Sequence, residues 1–368
     1  MPIYMDRHDV SEEVTAEHVA RLHQADLKIQ DKYNCKGLTY WFDGKRQTAF
    51  CLVEAPDKDS LKLMHDNAHG EVPHRIIEVD GAVVESFLGR IEDPEKIEDT
   101  ELHIIEDPAF RTILISEIKP LSLRDFSTQA VKSKIKDFND SIPEKIGEYD
   151  GNIVYHKFYR FLASFDSVTK AVACALEIHS GFKSMTGKAA KPALKLNIGL
   201  NAGAPVTEKE GLFEDTIRLA ERLCYVHKNN ITVSAEVRDL YESENLNVSV
   251  DKNLISALSS NDEDFLNLLL DQMEREWSNS TVTSEDFCKS MGYSRTQLYR
   301  KTTAVTGKSP NRFIREYRLG KALKLLDKRK DHINKIAYDS GFNSPAYFSK
   351  CFMETFGILP SSYAKQNI

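Results

Sequence analysis

Two histidines of the segment LMHDNAHG, His65 and His69, lie four residues apart. On a helix, side chains at this spacing emerge on one side, so both imidazole rings can bind one transition metal ion. Six of the eleven histidines fall in the first 74 residues, at positions 8, 18, 23, 65, 69 and 74. The pattern favours a metal site near the N-terminus, with surface or helix-capping histidines as the alternative.

A second set of side chains is suited to hydrogen bonding with DNA. In residues 284–307, a short helix and a Met-Gly-Tyr-Ser turn precede a helix that Ser294 can cap through its hydroxyl. We expect that helix to expose Arg295, Thr296, Gln297, Tyr299 and Arg300. Arginine can donate two hydrogen bonds to guanine in the major groove, and Arg300 is the strongest candidate for this contact. A solvated helix face is the alternative.

About fifty residues later, the segment GFNSPAYFSKCFMETFG repeats this arrangement. Ser344 can cap a helix, and Pro345 then occupies the first helical position, where its missing N–H has no cost. The spacing i, i+4, i+8 predicts a buried stripe of Phe348, Phe352 and Phe356. The candidate DNA contacts of this helix are Ser344, Ala346, Ser349 and Lys350.

One long helix is predicted between the two helix pairs, beginning at Pro310. At about 1.5 Å per residue, its roughly 17 residues span about 25 Å. That length can hold two recognition helices near one DNA turn, about 34 Å, apart. Residues 281–368 carry 16 Lys and Arg against 7 Asp and Glu, a balance of +9, whereas residues 1–280 carry 33 against 49, a balance of −16. Only the C-terminal part is therefore suited to a polyanion.

Residues 260–368 resemble the DNA-binding domain of AraC-type transcription regulators, on the segments MGYSRTQLYRK, TGKSPNRFIREYRL, IAYDSGFNSPAYFSKCF and FGILPSSY. The resemblance implies an all-α domain with two helix-turn-helix units that binds double-stranded promoter or operator DNA. Thr302 stands where the family usually has a buried apolar residue, which implies looser packing of the first unit. Ala346 and Lys350 stand where longer polar side chains or arginine are common, which implies sparser base contacts by the second.

Residues 1–90 show strand and helix patterns in the order of a ferredoxin-like βαββαβ unit. The strands LTYWF and TAFCLVEAP flank Asp43-Gly44, a hairpin signal. Helices are predicted over residues 15–33 and 57–70.

The segments YMDRHD, HQADLKIQDKY, LTYWFD, AFCLVEAP and MHDNAHGEV resemble a small family of ferredoxin-like proteins described as nickel-binding. This resemblance implies a transition metal such as nickel as the cofactor. The ligands that it implies are His8, His23, Asp26, His65 and His69, with Cys51 as a softer candidate. Two alternatives stay open: a small-molecule pocket with Tyr40 and Trp41 in its wall, and a purely structural domain.

Residues 105–250 resemble the catalytic domain of class III nucleotide cyclases, most specifically in IGLNAGAPV followed by LFEDTIRLAERL. Cyclase chemistry needs two carboxylates to hold two divalent ions against the triphosphate. By the resemblance, these positions hold Glu117 and Tyr159, and tyrosine cannot replace aspartate there. The positions that assist the transition state hold Arg218, in place of asparagine, and Arg222. The resemblance therefore implies a catalytically silent domain with no catalytic residues.

Three roles stay open for this cyclase-like domain. It can dimerise, or bind a nucleotide-like ligand through Arg218 and Arg222, or use Arg222 only as a structural ion-pair partner. A different class of protein is the alternative: a DNA-binding enzyme that still turns over a nucleotide at this domain.

The chain of 368 residues is long enough for three domains, at 1–90, 105–250 and 260–368, with polar linkers at 89–108 and 257–265. The predicted fold class is multidomain α+β plus all-α, with two ferredoxin-like domains before an all-α double helix-turn-helix domain. The six cysteines show no CxxC pairing, so no disulfide framework or zinc knuckle is expected. No apolar stretch approaches the roughly 18 residues of a membrane helix, and no signal peptide is expected.

These patterns predict a cytoplasmic bacterial transcription regulator. We expect a homodimer that binds double-stranded DNA and is controlled by a metal or small-molecule effector at its N-terminal domain. The alternative is a DNA-binding protein whose middle domain binds or turns over a nucleotide.

Overall fold

The computed structural model describes residues 1–94, 102–123, 129–157, 159–187, 194–226, 229–246, 251–328 and 331–366. Its first unit is an antiparallel sheet in the order β2-β3-β1-β4, with helices α1 and α2 on one face. The elements are β1 (Ile3–Asp9), α1 (Ala16–Ile29), β2 (Lys36–Asp43), β3 (Thr48–Glu54), α2 (Lys58–Ala68), β4 (Arg75–Val79) and α3 (Gly81–Leu88). Thr15 and Asp57 cap α1 and α2, which confirms both predicted helices.

The second unit is a six-stranded sheet in the order β10-β9-β8-β5-β7-β6. Its strands and helices are β5 (Arg111–Pro120), α4 (Gln129–Asp140), α5 (Ile142–Glu148), β6 (Asn152–Lys157), β7 (Arg160–Phe165), α6 (Val168–Thr186), β8 (Leu194–Gly203), α7 (Glu214–Leu223), β9 (Ile231–Val233), α8 (Ala235–Glu244) and β10 (Ile255–Ala257). The four strands β8-β5-β7-β6 repeat the antiparallel order of the first sheet, and β9 and β10 extend it by parallel pairing. Strands β6 and β7 pair as an antiparallel hairpin, and the hairpin predicted around Asp43-Gly44 is formed by β2 and β3.

The third unit is helical. Its helices are α9 (Ser260–Glu276), α10 (Ser284–Met291), α11 (Arg295–Thr306), α12 (Pro310–Lys328), α13 (Ile333–Asp339), α14 (Pro345–Phe356) and α15 (Pro360–Gln366). The long helix α12 connects the pair α10–α11 to the pair α13–α14, as predicted, and packs against both pairs. Within the described ranges, no helix is both long and apolar enough to cross a membrane.

One apolar cluster joins the two sheets. Met5 and Trp41 of the first sheet and Ile113 and Leu162 of the second are buried in it, together with α3, which the sequence analysis did not predict. Since successive strand residues point to opposite faces, the odd positions of β1 face this cluster and the even positions face α1 and α2. The predicted domains 1–90 and 105–250 therefore share a core.

Both predicted linkers contain ordered structure. In the first, Ile105 is 4% exposed, and the Tyr40 hydroxyl accepts a hydrogen bond from its N–H (2.8 Å). This segment lacks an apolar period because it packs through single residues and not through one face of an element. The prediction of a second linker over 257–265 is wrong from Ser260 onward, because helix α9 begins there with Ser259 as its cap. Residues 95–101 lie outside the described part of the chain.

The helical unit packs against the end of α7. Leu223 and Val226 join the apolar cluster of α9, α10 and α12, and the ring of Tyr225 stacks on Tyr317 of α12 at 6.0 Å between centroids. Leu123, which follows β5, is buried in the second helix-turn-helix cluster. The helix that links the two helix-turn-helix units thus lies against the middle unit.

A substitution at Gly199 of β8 tests how closely β8 packs against α7. A Cβ at Gly199 would lie 2.0 Å from the backbone oxygen of Ala220, whereas a Cβ at Gly147 of α5 would meet no atom within 4 Å. We expect Gly199→Ala to lower the free energy of unfolding by about 3 kcal/mol, because the new methyl group would force the backbone of α7 at Ala220 away from β8. The control Gly147→Ala should raise it by about 0.5–1 kcal/mol, since alanine favours the helix. Chemical denaturation measures both, and equal stabilities would contradict this packing.

Candidate metal centre and DNA-binding surface

The first sheet and its helices bring together a buried cluster of metal-binding side chains. Two groups of ligand atoms, each within 4.8 Å of one another, share the ring of His65: Asp6, His8, Cys51 and His65 form one, and Asp26, His65 and His69 form the other. His65 Nε2 lies 3.0 Å from Asp6 Oδ2, and His65 Nδ1 lies 3.1 Å from Asp26 Oδ1. His69 Nε2 lies 3.2 Å from Asp26 Oδ1.

Strand β1 and helices α1 and α2 bring these side chains together. Asp6 and His8 are even positions of β1, so both side chains point toward α1 and α2. His65 and His69 emerge from one side of α2, as their spacing predicted, and Asp26 is contributed by α1. The N–H of Cys51 donates to Asp6 Oδ1 (3.0 Å), which holds that carboxylate in place.

The electrostatics of the cluster are those of a buried cation between two carboxylates. Burial lowers the pKa of His65, but hydrogen bonds and charge from Asp26 and Asp6 outweigh burial and raise it to about 10. Burial raises the pKa of Asp6 and of Asp26, but His8 and His65 around Asp6, and His65 and His69 around Asp26, shift both below their usual value. A metal ion bound here would take over the role of the proton on His65.

The residues present fit a transition metal ion. The cluster combines imidazole nitrogens, carboxylate oxygens and one thiol, a donor set that suits nickel, zinc or copper. His8 Nε2 is buried and, within the described ranges, makes no hydrogen bond, although it lies 3.3 Å from Asp6 Oδ1. A buried nitrogen without a hydrogen-bond partner is costly unless another group, such as a metal ion, contacts it.

Four of the five predicted ligands meet in this cluster, and one does not. His8, Asp26, His65 and His69 are within it, whereas His23 Nε2 lies 3.5 Å from Asp93 and its ring packs on Tyr40. The sequence analysis missed Asp6. Its signal was the alternation Asp6-Arg7-His8 in a strand, which places Asp6 and His8 on one face.

The first candidate DNA-reading helix is α11. Ser294 caps it as predicted, and Leu298 is buried in the core. The five predicted contact residues Arg295, Thr296, Gln297, Tyr299 and Arg300 are all exposed. Two of them also have local roles: Gln297 accepts a hydrogen bond from the N–H of Ser294 (2.9 Å) to complete a capping box, and Arg295 pairs with Glu285. Thr296, Tyr299 and Arg300 have no such role in the cap.

The second candidate helix is α14. Ser344 caps it, with Pro345 at the first position, and the predicted phenylalanine stripe is buried. Ala346 and Lys350 are exposed, whereas Ser344 and Ser349 are partly buried. Tyr347 was not predicted from the sequence; it is 51% exposed, and its hydroxyl accepts a side-chain hydrogen bond from Arg315 of α12.

Arg218 and Arg222 of α7 form ion pairs with α9. Arg218 lies 2.6 Å from Asp271 and 3.1 Å from Glu274. Arg222, 4% exposed, pairs with the same two carboxylates and donates to Asn267 Oδ1 (2.8 Å). These contacts give both arginines a structural role.

The two positions that the cyclase resemblance assigns to metal-binding carboxylates hold one carboxylate, that of Glu117, and the tyrosine Tyr159. Glu117 of β5 lies opposite Arg160 of β7 in the sheet register and forms a 2.8 Å ion pair with Lys119. Tyr159 precedes β7 and is partly exposed. Burial raises the pKa of Glu117, but the charge and hydrogen bond of Lys119, together with the charges of Lys324 and Arg160, outweigh burial and lower it.

Both terminal units match known protein families. Residues 287–366 match a family described as "Helix-turn-helix domain", and residues 4–79 match one described as "Nickel responsive protein SCO4226-like". The C-terminal unit is an AraC-type helix-turn-helix domain. Both predicted resemblances of the terminal units are confirmed, and the C-terminal match points to a family of transcription regulators.

Curated relatives match parts of the chain. A "Histidine kinase P4" of Formosa agariphila is 42% identical over 107 residues, which cover 29% of this chain and 8% of the relative. The "Uncharacterized HTH-type transcriptional regulator YdeC" of Bacillus subtilis is 34% identical over 86 residues, which cover 23% of this chain and 30% of the relative. The chain thus spans less than a third of the length of these relatives.

Solved structures match both terminal units. A transcriptional regulator with an AraC-type DNA-binding domain from Chromobacterium violaceum is 27% identical, with 30% of this chain and 96% of that chain covered and a TM-score of 0.28. SCO4226 from Streptomyces coelicolor A3(2) is 30% identical, with 21% of this chain and 94% of that chain covered and a TM-score of 0.20.

Thr302 of α11 is fully buried, and its hydroxyl makes no hydrogen bond with any described residue. We expect Thr302→Val to raise the free energy of unfolding by about 1 kcal/mol, because it replaces a buried unpaired hydroxyl with a methyl group of similar shape. Thr303→Val, at the exposed neighbouring position, is the control and should gain nothing. Thermal unfolding monitored by circular dichroism measures both; a less stable Thr302→Val protein would mean that the hydroxyl is satisfied.

Proposed function

We propose that this chain is a bacterial, cytoplasmic transcription regulator that reads double-stranded DNA through α11 and α14 and is controlled by a metal ion at its N-terminal unit. The observation that carries the proposal is the match of residues 287–366 to a helix-turn-helix family, together with two capped, exposed recognition helices on the only strongly basic part of the sequence. The proposed working form is a homodimer, which light scattering on the full chain tests.

In this proposal the two recognition helices contribute unequally. Thr296, Tyr299 and Arg300 of α11 would offer polar side chains to base edges, while Arg295 and Gln297 beside them would lie near the phosphates. In α14, Ala346 and Lys350 reach the groove, and Ser344 and Ser349 lie at the edge of the contact. Most of the base discrimination therefore comes from α11.

The ion would be held on one side of the His65 ring, either by Asp6, His8, Cys51 and His65 Nε2 or by Asp26, His69 and His65 Nδ1, because one ion cannot bind both ring nitrogens. His23, which contacts Asp93, lies outside both groups. The match of residues 4–79 to a nickel-responsive family supports nickel as the cofactor. The strand order shared by both sheets supports a ferredoxin-like βαββαβ interpretation of each unit. A bound metal controls DNA binding only if it favours one arrangement of the chain over another.

A physical connection exists for such control. Asp6 and His8 line the metal cluster, while Arg7 between them points to the opposite face and donates a hydrogen bond to the backbone oxygen of Val206 (3.4 Å). Val206 precedes α7, whose arginines pair with α9 of the helical unit. A shift of β1 on metal binding would therefore reach the DNA-binding domain through contacts already present. We also propose a ligand-binding role for Arg218 and Arg222 of α7.

We expect Arg300→Ala to weaken binding to an identified operator by about 1–3 kcal/mol, because a bidentate contact to guanine is lost. The matched control is Arg275→Ala, which changes an exposed arginine of α9 that is not among the proposed DNA contacts. Fluorescence anisotropy with operator and scrambled duplexes measures both variants. If Arg300→Ala binds the operator as tightly as the unmodified protein, α11 does not read bases as proposed.

We expect His65→Ala to abolish the binding of Ni²⁺ by the full chain, because His65 belongs to both groups of ligand atoms. His18→Ala, which removes an exposed histidine of α1, should bind nickel as the unmodified protein does. Isothermal titration calorimetry with Ni²⁺, Zn²⁺ and Cu²⁺ measures the affinities. An absence of heat with every metal in the unmodified protein would remove the metal-sensing part of the proposal while leaving DNA binding intact.

A further inference from the structure

A cavity of about 130 Å³ lies where the middle unit, α9 and α12 meet. The middle unit contributes Glu117, Arg160, Glu221, Arg222 and Tyr225, and α12 contributes Tyr317, Lys321 and Lys324. Pockets for drug-sized ligands measure roughly 300–1,000 Å³, so this cavity accepts only a small group. Its walls come from both sides of the joint, so a ligand here would contact both units at once.

The charges that line the cavity leave cations in excess. Each of its carboxylates already has a partner: Glu117 pairs with Lys119, Glu221 with Arg160, and Glu274 with Arg218 and Arg222. Within the described ranges, no carboxylate lies at ion-pair distance from Lys321 or Lys324, which are three residues apart on α12. An anion is therefore the ligand that would complete the charge balance.

Two further observations point to a ligand. Arg222 is almost fully buried, lines the cavity, and has a buried Nε that makes no hydrogen bond with the described residues. Burial and the charge of the exposed Lys324 lower the pKa of the partly buried Lys321, and the charge of Glu274 offsets this only in part. A bound anion would satisfy the Nε donor and relieve the repulsion.

We propose that this cavity binds the phosphate group of a small metabolite, contacted by Arg222 from the middle unit and by Lys321 and Lys324 from α12. Lysine ammonium and arginine guanidinium groups are the usual protein partners of phosphate, and a dianion offers enough acceptors for all three side chains. Ring-bearing parts of such a ligand would extend toward solvent, because the cavity has no room for them.

This inference deepens the ligand role proposed for Arg222, and it adds the lysines of α12, which the sequence analysis did not single out. Because α12 carries both helix-turn-helix units, a phosphate bound between α12 and the middle unit would hold the DNA-binding domain in the orientation seen here. The ligand would then change the apparent affinity for DNA by favouring this arrangement.

The test is calorimetry of the full chain, without DNA, against inorganic phosphate, glycerol 3-phosphate and acetate at constant ionic strength. We expect both phosphates to bind and acetate not to bind. Lys321→Gln should weaken phosphate binding roughly tenfold, because one charge-assisted contact is lost. Lys328→Gln, which changes an exposed lysine of the same helix outside the cavity, should leave the affinity within about twofold of the unmodified protein, as expected for a screened distant charge.

The outcomes separate this inference from the proposed function. No phosphate heat in the unmodified protein, equal affinity for acetate, or an unchanged affinity in Lys321→Gln would each overturn it. Lys324→Gln, at a more exposed position, provides a second variant in case Lys321→Gln perturbs folding, and should also weaken binding. Tighter binding of glycerol 3-phosphate than of inorganic phosphate would support the site and identify an organic ester as the ligand. DNA is absent from these titrations, so their failure leaves DNA binding by α11 unaffected.

Discussion

The apolar layer between the two sheets is the constraint on which the other features depend. Burying Met5 and Trp41 against the second sheet fixes which face of β1 points inward, and strand geometry then sends Asp6 and His8 to the opposite face. A shift of β1 by one residue would bury these polar groups in the apolar layer, which is energetically prohibitive. The same burial that stabilises the pair of sheets therefore positions the metal cluster beneath α1 and α2.

Local signals were predictable from sequence, and contacts between distant segments were not. The structure contains the helix caps at Ser294 and Ser344, the buried phenylalanine stripe and the neighbouring His65 and His69 rings. Each of these features depends only on residues within one or two helical turns, so the sequence could predict it. The predicted ligand His23 contacts Asp93 instead, because the position of residues 89–94 against α1 depends on the whole sheet. Ile105 was missed for a similar reason: a single anchoring residue gives no periodicity.

The arginines of α7 show how a site inferred from resemblance can serve the fold. A buried guanidinium is tolerated only when its charge and donors are satisfied, and Asp271, Glu274 and Asn267 supply most of what Arg222 needs. All three partners are on α9, a helix whose interaction with α7 no local pattern could predict. The pairing therefore links the middle unit to the DNA-binding domain. It leaves the buried Nε of Arg222 without a hydrogen bond to the described residues, beside a cavity that Arg222 and α12 line.

Helix α7 lies between the two proposed ligand sites and gives them a common physical connection. The loop before it contacts Arg7 on the reverse side of the metal-binding strand, and the end of the helix carries Arg222 at the cavity beneath α12. A helix of ten residues moves as a rigid body more readily than it bends, because its backbone hydrogen bonds are internal. A displacement at its first turn would therefore be transmitted to its last turn. If both proposed sites bind their ligands, metal and phosphate would act on the same element, and the DNA-binding domain would respond to both through α9 and α12.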